Sequence, residues 1–372
     1  MPPVDVLLMI YALGDGGSER QLANTALSLD RSRFNPHVAS VREGFQADAL
    51  RRAGIPVIHM PLRSFVSPSA VRVARQIRSY IRENRIRLVH PFDFTLGLLA
   101  IPVAKTCPGV AALSSQRCYM DLVPRKYRRP LLVAHRLADG LVVNSEELRR
   151  DLVERYSYPA SRIHVCHNGL DTERFSAAGR KRGGDLVIGT ACVLRPEKNV
   201  GHLLEAFARV RAMRPGMKLL IVGSGPERES LVAKSEALGL ADICTFQPTT
   251  ADVPAVIREI DIFVHPSLTE GLPNAVMEAM ACECAVVASR VGGCPELIED
   301  GKTGLLTEPG DIESLTASLA SVVANDQLRE SLAGAGARSM QSFSLARSAA
   351  RMQEIYERVL TGSGLNPEAA RG

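Results

Sequence analysis

Short apolar runs alternate with longer amphipathic stretches along the whole chain. In the first half the runs at 4–10, 37–41, 56–59, 88–90, 110–113, 140–143 and 163–166 have the length of buried strands. Between them, 19–29, 70–83 and 145–156 carry apolar residues at helical spacing. The second half repeats the theme, with strands expected at 186–191, 217–222, 243–246, 261–264, 285–288 and 304–306. Its helices are expected at 200–211, 226–238 and 311–324. Strands that alternate with helices imply right-handed crossovers and parallel sheets. The sequence therefore predicts an α/β protein of two doubly wound, Rossmann-like domains facing a cleft, with ligands at the carboxyl ends of the strands.

Between the halves, 171–185 includes Gly179-Arg180-Lys181-Arg182-Gly183-Gly184 and shows no apolar period, which predicts a linker. The expected domains are 1–175 and 182–344, with a last helix at about 345–360 packing back on the first. The final stretch, 361–372, is expected to fray.

Composition narrows the class. With 372 residues, 46% apolar and 23% charged, the chain has enough apolar surface for two cores. A net charge of +5 is too mild to argue for nucleic-acid binding, and none is expected. The eight cysteines form no Cys-x-x-Cys pair, so neither a zinc site nor a disulfide framework is expected, and they read as reduced, buried thiols of a cytoplasmic protein. The first apolar run has no basic region ahead of it and is too short for a membrane span, so it reads as a strand rather than a signal peptide.

Three clusters carry candidate chemistry. After the strand at 261–264 comes His265-Pro266-Ser267-Leu268-Thr269-Glu270-Gly271-Leu272-Pro273-Asn274, and then a helix that contains Glu278. The start of a helix presents N–H groups without intrahelical acceptors at the positive end of its dipole, a suitable seat for a diphosphate. The two glutamates can accept hydrogen bonds from sugar and ribose hydroxyls; taken alone, they read first as a helix cap and a surface residue. The second cluster, Val193-Leu194-Arg195-Pro196-Glu197-Lys198, places two cations where a strand runs into a helix, able to neutralise charge on a departing diphosphate. The third is Gly14-Asp15-Gly16-Gly17-Ser18-Glu19 after the first strand. Its glycines allow close approach to a phosphate, but Glu19 stands where a dinucleotide fingerprint needs its third glycine, which excludes that fingerprint. Gly223-Ser224-Gly225 fails the same test at Arg228.

Glu270 and Glu278, separated by seven residues, together with Pro266-Ser267, Glu270-Gly271-Leu272-Pro273, Gly292-Gly293-Cys294-Pro295-Glu296 and Asp300-Gly301-Lys302-Thr303-Gly304, resemble the donor site of the retaining glycosyltransferases of family 4, which have the GT-B fold. The resemblance implies a hexosyltransferase-type enzyme that retains anomeric configuration. Its donor would be a nucleotide sugar, UDP- or GDP-linked, with no cofactor besides that substrate. By the same resemblance Glu270 contacts the donor sugar and Glu278 the ribose. Backbone amides at Gly271, Leu272, Pro273 and Asn274 surround the diphosphate, Lys198 grips the phosphates, Gly16 and Gly17 face the diphosphate, and Gly223 turns beneath the nucleotide. The family's phosphate-binding Arg lies five residues before the Lys; Val193 stands there, and Arg195 is the candidate in its stead.

A second departure lies in the first domain, where relatives carry a His near the transferred sugar. This chain reads Leu113-Ser114-Ser115-Gln116-Arg117-Cys118-Tyr119. His90, at a strand end, and Arg117 are the candidates on the acceptor side, although for His90 a satisfied structural residue is the reading to prefer. The acceptor expected from the family is a saccharide or lipid-linked group such as a cell-surface polysaccharide or glycolipid precursor. The basic stretch 117–136 is either a solvated face or a contact for a phosphorylated acceptor or the inner face of a membrane. No Asp-x-Asp triplet is present, so activity without a metal is expected. Two other readings stay open: a sugar-nucleotide epimerase on the same scaffold, and a non-catalytic sugar-nucleotide-binding subunit.

Overall fold

In the computed structural model the described residues are 2–14, 16–180, 183–250 and 252–362. Asp15 of the glycine loop, Lys181 and Arg182 of the expected linker, and the expected frayed end from 363 onward lie outside them. The chain forms two compact units: one runs to Gly169 and resumes at Leu345, and the other is Leu170–Ser344.

The first unit holds seven strands, β1 (Val4–Ala12), β2 (Phe34–Arg42), β3 (Val57–His59), β4 (Leu88–Pro91), β5 (Ala111–Gln116), β6 (Gly140–Val143) and β7 (Ile163–Val165). They pair in the order β3-β2-β1-β4-β5-β6-β7, and every pairing is parallel. Val6, Leu7, Leu8 and Met9 are all fully buried, as a central strand covered on both faces requires, which is why the sequence shows an unbroken apolar run there and no alternation. Helix Pro68–Glu83 buries Ala70, Val73, Ile77 and Ile81, a stripe at spacings of three and four. Helix Leu345–Gly362 buries Met352, Ile355, Tyr356, Val359 and Leu360 in the same core cluster as Val6 and Leu8, so the last helix completes the first unit.

The second unit holds six strands, β8 (Val187–Ala191), β9 (Lys218–Val222), β10 (Cys244–Gln247), β11 (Ile262–His265), β12 (Ala285–Ser289) and β13 (Leu305–Thr307). Their order is β10-β9-β8-β11-β12-β13, again all parallel. In each sheet the strand order reverses once, between β1 and β4 and between β8 and β11. At such a switch point two loops leave adjacent strands in opposite directions and open a crevice at the carboxyl ends.

The expected linker needs correction. Leu170 and Phe175 belong to the core of the second unit. The Arg180 side chain is only 6% exposed and donates to Ile260 O at 2.7 Å, Asp261 Oδ1 at 3.0 Å and Cys282 O at 3.1 Å. One guanidinium, with its fixed fork of donors, serves the carbonyls around the start of β11; composition reads this stretch as solvated because the others around it are basic or glycine. All eight cysteines are unpaired thiols. Among the described residues no helix is long and apolar enough to cross a membrane.

Candidate functional site

At the second switch point, β8 runs into a single turn, Pro196–Lys198, and then Asn199, in the left-handed region at φ 52°, starts helix Val200–Val210. From β11 the chain passes through Pro266 and Glu270 to helix Asn274–Ala281, whose start at Pro273 has no side-chain cap. The amide of Leu268 donates to Glu197 O at 2.8 Å and so joins the two loops. That juncture brings Lys198 Nζ to 2.5 Å from Glu270 Oε1. His265, the last residue of β11, sets its Nε2 2.8 Å from the same oxygen and 3.1 Å from Ser267 Oγ.

The electrostatics follow from this geometry. Glu270 is 9% exposed, and burial alone would raise its carboxyl. The charge and hydrogen bonds of His265 and Lys198 outweigh burial and bring it down to about 2, so the group is a carboxylate at neutral pH. Lys198, with its side chain 21% exposed, is the more accessible partner. The thiols of Cys192 and Cys294 lie in the field of this pair, but burial pushes both up, Cys192 to about 12, so neither is a nucleophile here.

Two glycines hold these loops by close approach. Gly292 has φ 51°, and a Cβ there would lie 2.1 Å from Glu270 O; the adjacent Gly293 donates to Gly271 O at 2.6 Å. Gly223 has φ 146°, and a Cβ would lie 1.9 Å from Cys192 O, so this glycine fixes the packing of the loops after β8 and β9. Glu278 is buried at 4% exposure on the helix, one turn beyond Asn274 and on its side. Arg195 is different: its side chain is 59% exposed, and its guanidinium sits 3.9 Å from Glu197 Oε1.

The first switch point is furnished otherwise. Asp93 ends the turn after β4 and caps helix Phe94–Lys105, accepting from Leu96 N at 2.8 Å and from the amide of Tyr11. Burial raises its carboxyl to about 6, and the charge of Glu19 adds to the shift. Gly16 sits just before helix Gly17–Ser28 at φ −63°, a conformation open to any residue, and a Cβ there would meet Glu19 Oε2 at 2.1 Å. The Glu19 carboxylate thus lies against Gly16 at this helix start.

His90 takes the structural of its two readings, and its candidacy on the acceptor side falls. It is fully buried, with Nδ1 2.9 Å from Tyr356 Oη and Nε2 2.8 Å from Ser115 Oγ, and burial lowers its imidazole to about 3. Both ring nitrogens are engaged, so His90 is a structural bridge between β4, β5 and the last helix rather than an acceptor-side group. Arg117 is also turned inward: it lies over the Phe92 ring at 5.5 Å and donates to Asn168 Oδ1 at 2.5 Å, and burial brings its guanidinium down to about 10. His265 and Ser267 were quoted in the motif but given no role. The available signal was position, because a polar residue ending a strand beside the switch point is poised to face a ligand.

Comparison with known proteins accords with this geometry. A profile described as Glycosyl transferases group 1 matches residues 171–339, and one described as Glycosyltransferase Family 4 matches residues 15–174. The D-inositol 3-phosphate glycosyltransferase of Segniliparus rotundus is 30% identical over 293 residues, 74% of this chain and 65% of that one. The alpha-maltose-1-phosphate synthase of Mycolicibacterium smegmatis is 33% identical over 251 residues, 60% of this chain and 64% of that one. The chain thus spans somewhat under two thirds of the length of these curated relatives. Among solved structures, the Anabaena protein HepE in complex with UDP and glucose superposes with a TM-score of 0.82 at 21% identity, covering 95% of this chain and 100% of that one, which shows the fold. With a parallel, doubly wound sheet in each unit, the GT-B fold, and two family profiles that together run from residue 15 to 339, the chain belongs to glycosyltransferase family 4, the group 1 glycosyl transferases.

Proposed function

We propose that this protein transfers a sugar from a nucleoside-diphosphate donor, UDP- or GDP-linked, to an acceptor hydroxyl, with retention of anomeric configuration and without a metal. The observation that carries the reading is the Lys198–Glu270–His265 cluster at the second switch point. A partly exposed ammonium beside a buried carboxylate offers a cation to the diphosphate and an acceptor to a sugar hydroxyl within one side chain's reach. Glu270 and Lys198 make up the catalytic pair, with the exposed Arg195 as the candidate second cation. Glu278 serves the ribose, and Gly271, Leu272, Pro273 and Asn274 the diphosphate, with Gly223 shaping the floor. The acceptor attacks the face that the leaving diphosphate vacates. The protein's work is then positioning, together with stabilisation of charge on the leaving group by Lys198 and the helix start. No covalent nucleophile is required.

The acceptor in this reading is a hydroxyl of a phosphorylated or lipid-linked saccharide or polyol. Two observations support it. The relatives above are named for D-inositol 3-phosphate and for alpha-maltose-1-phosphate. In the first unit, helix Arg125–Leu137 exposes Arg125, Lys126 and Arg129 beside Val133 and Leu137, a mixed basic and apolar face suited to phosphate or to an anionic membrane surface.

A thermal-shift series with UDP, GDP, ADP and their sugars tests the donor. A ligand that binds only the folded state raises Tm, by several degrees at about 100 times its Kd. The expected result is one nucleotide series that responds in the wild type and whose affinity falls about ten- to a hundredfold in Lys198→Ala, the effect of removing a charge-assisted phosphate contact. No response at millimolar concentration would remove the donor reading. Donor consumption in the absence of any acceptor would mark the epimerase instead.

A further inference from the structure

Two donors converge on a single oxygen of Glu270. Lys198 Nζ and His265 Nε2 both reach Oε1, at 2.5 and 2.8 Å. Among the described residues no donor reaches Oε2, and the side chain keeps 10% of its surface. A carboxylate only accepts, so His265 Nε2 carries the hydrogen. Ser267 Oγ, 3.1 Å from the same nitrogen, therefore takes a share of that N–H as a second acceptor.

The two donors differ in how firmly they are held. The His265 side chain is 2% exposed, at the end of β11. Its ring lies nearly parallel to that of Phe263, 6.5 Å away, and Phe263 is packed in the core with Val276 and Met277. Lys198 is a four-carbon chain on a single turn, with a fifth of its surface free and three N–H groups to distribute. An ammonium that engages phosphate loosens its hold on the carboxylate it was paired with. A glutamate held by Lys198 alone would be free to swing at the moment the donor arrives.

We propose that His265 is a positioning residue: it keeps the Glu270 carboxylate in place when Lys198 turns to a donor's phosphates, so that Oε2 stays presented to a hydroxyl of the transferred sugar. The inference rests on the donor reading above and adds to it a division of labour, with Lys198 reading the phosphates and His265, through Glu270, reading the sugar.

The test is calorimetric titration of the full-length protein with UDP and UDP-glucose, and with GDP and GDP-mannose as the second pair, in wild type, His265→Leu and His265→Gln. In His265→Leu the nucleotide sugar should bind about five- to tenfold more weakly, while the bare nucleotide changes less than twofold; the tenfold scale is that of one hydrogen bond to a charged group. His265→Gln, whose amide N–H can donate, should recover part of the loss. Equal weakening of nucleotide and nucleotide sugar, or no change in either, overturns the proposal, since a merely structural role moves both together. A second measurement needs no ligand. In protein labelled with 15N-histidine, the His265 signal, assigned by its loss in His265→Gln, should report hydrogen on Nε2 at neutral pH and shift in Glu270→Gln. Hydrogen on Nδ1 alone overturns the proposal even where the leucine variant fails to fold. If the wild type binds none of the four probes, the donor reading is what fails, and the spectrum still shows whether His265 holds Glu270.

Discussion

At the end of β4, a histidine and an aspartate turn into the protein; at the end of β11, a histidine and a glutamate turn toward each other with a lysine alongside. His90 spends both ring nitrogens on Ser115 and Tyr356, and Asp93 spends its oxygens on the amides of Tyr11 and Leu96. His265 spends one nitrogen on Glu270 and leaves one glutamate oxygen without a donor among the described residues. The strand order around both points is the same. Topology therefore supplies two crevices, and the side chains decide what each can do. In the first, the carboxylates of Glu19 and Asp93 lie within reach of each other's charge, Glu19 beside the helix start. In the second, Lys198 supplies the cation.

The sharpest way to break this contrast is Glu270→Ala. It should cut turnover about a hundred- to a thousandfold, the scale seen when one preorganised electrostatic contact is removed, and leave the far-UV circular dichroism unchanged. Turnover within threefold of wild type would mean that the second switch point is not where the chemistry happens. His90→Leu is the counterpart. It strands two buried hydroxyls, those of Ser115 and Tyr356, and should lower stability by about 2–3 kcal/mol while the Kd for the nucleotide stays within twofold. A folded His90→Leu protein of normal stability that has lost transfer would turn the first switch point into a functional one.

Acidification separates the two units by a different route. His90 and His135 are enclosed in the first unit, and burial holds each at about 3. An unfolded histidine takes up its proton near pH 6.5, so the stability from these two neutral rings is complete above that value and is lost as pH falls from about 6.5 toward 3. Asp93, raised to about 6, runs the other way and offsets one of them between about 6 and 4. Glu270 lies at about 2, below its unfolded value, so its contribution is complete above about 4.5 and fades only as pH falls toward 2. Hydrogen exchange followed from pH 7 downward should therefore show β4 and β5 losing protection before β11. Simultaneous loss, or β11 first, would contradict the assignment of these buried groups.

How much of this the sequence disclosed depended on the kind of signal. The strands of the described residues were legible as short runs rich in apolar residues, unbroken where the strand is covered on both faces, as in β1. Helix Phe94–Lys105 was missed for the same reason in reverse: Phe94-Thr95-Leu96-Gly97-Leu98-Leu99-Ala100-Ile101-Pro102 is apolar on almost every side and shows no stripe. Helix Arg125–Leu137 was legible as a basic stretch, a solvated helix face or a contact, but its Pro130 and dense charge hide the buried Leu131 and Ala134. Arg180 was misread because a buried cation has no local signature; its partners, Ile260, Asp261 and Cys282, lie about 80 to 100 residues downstream. Glu270 and Lys198 were legible as members of a motif. Their contact was not, since it depends on β8 and β11 being neighbours, which is a property of strand order. His265 stood in plain view, and only the distance to Glu270 gives it work.

The smallest effect in the series bears on the one cation that the two regions leave undecided by geometry. Val193 stands at the position where the family carries a phosphate-binding Arg, and Arg195 is the substitute nearest in sequence. Its side chain is 59% exposed, and among the described residues its ion pair is with Glu197 at 3.9 Å. A guanidinium this solvated contributes little as it stands, because exposed pairs at such distances are worth well under about 1 kcal/mol. Arg195→Ala should therefore weaken nucleotide binding no more than about twofold to threefold, against the ten- to hundredfold expected for Lys198→Ala. The comparison is best made at low and at moderate salt, since a contact made only through solvent is screened while a direct phosphate contact persists. A loss of tenfold or more in Arg195→Ala that survives 0.3 M salt would show that the side chain swings onto the phosphates when the donor binds, and the second switch point would then hold two working cations in place of one.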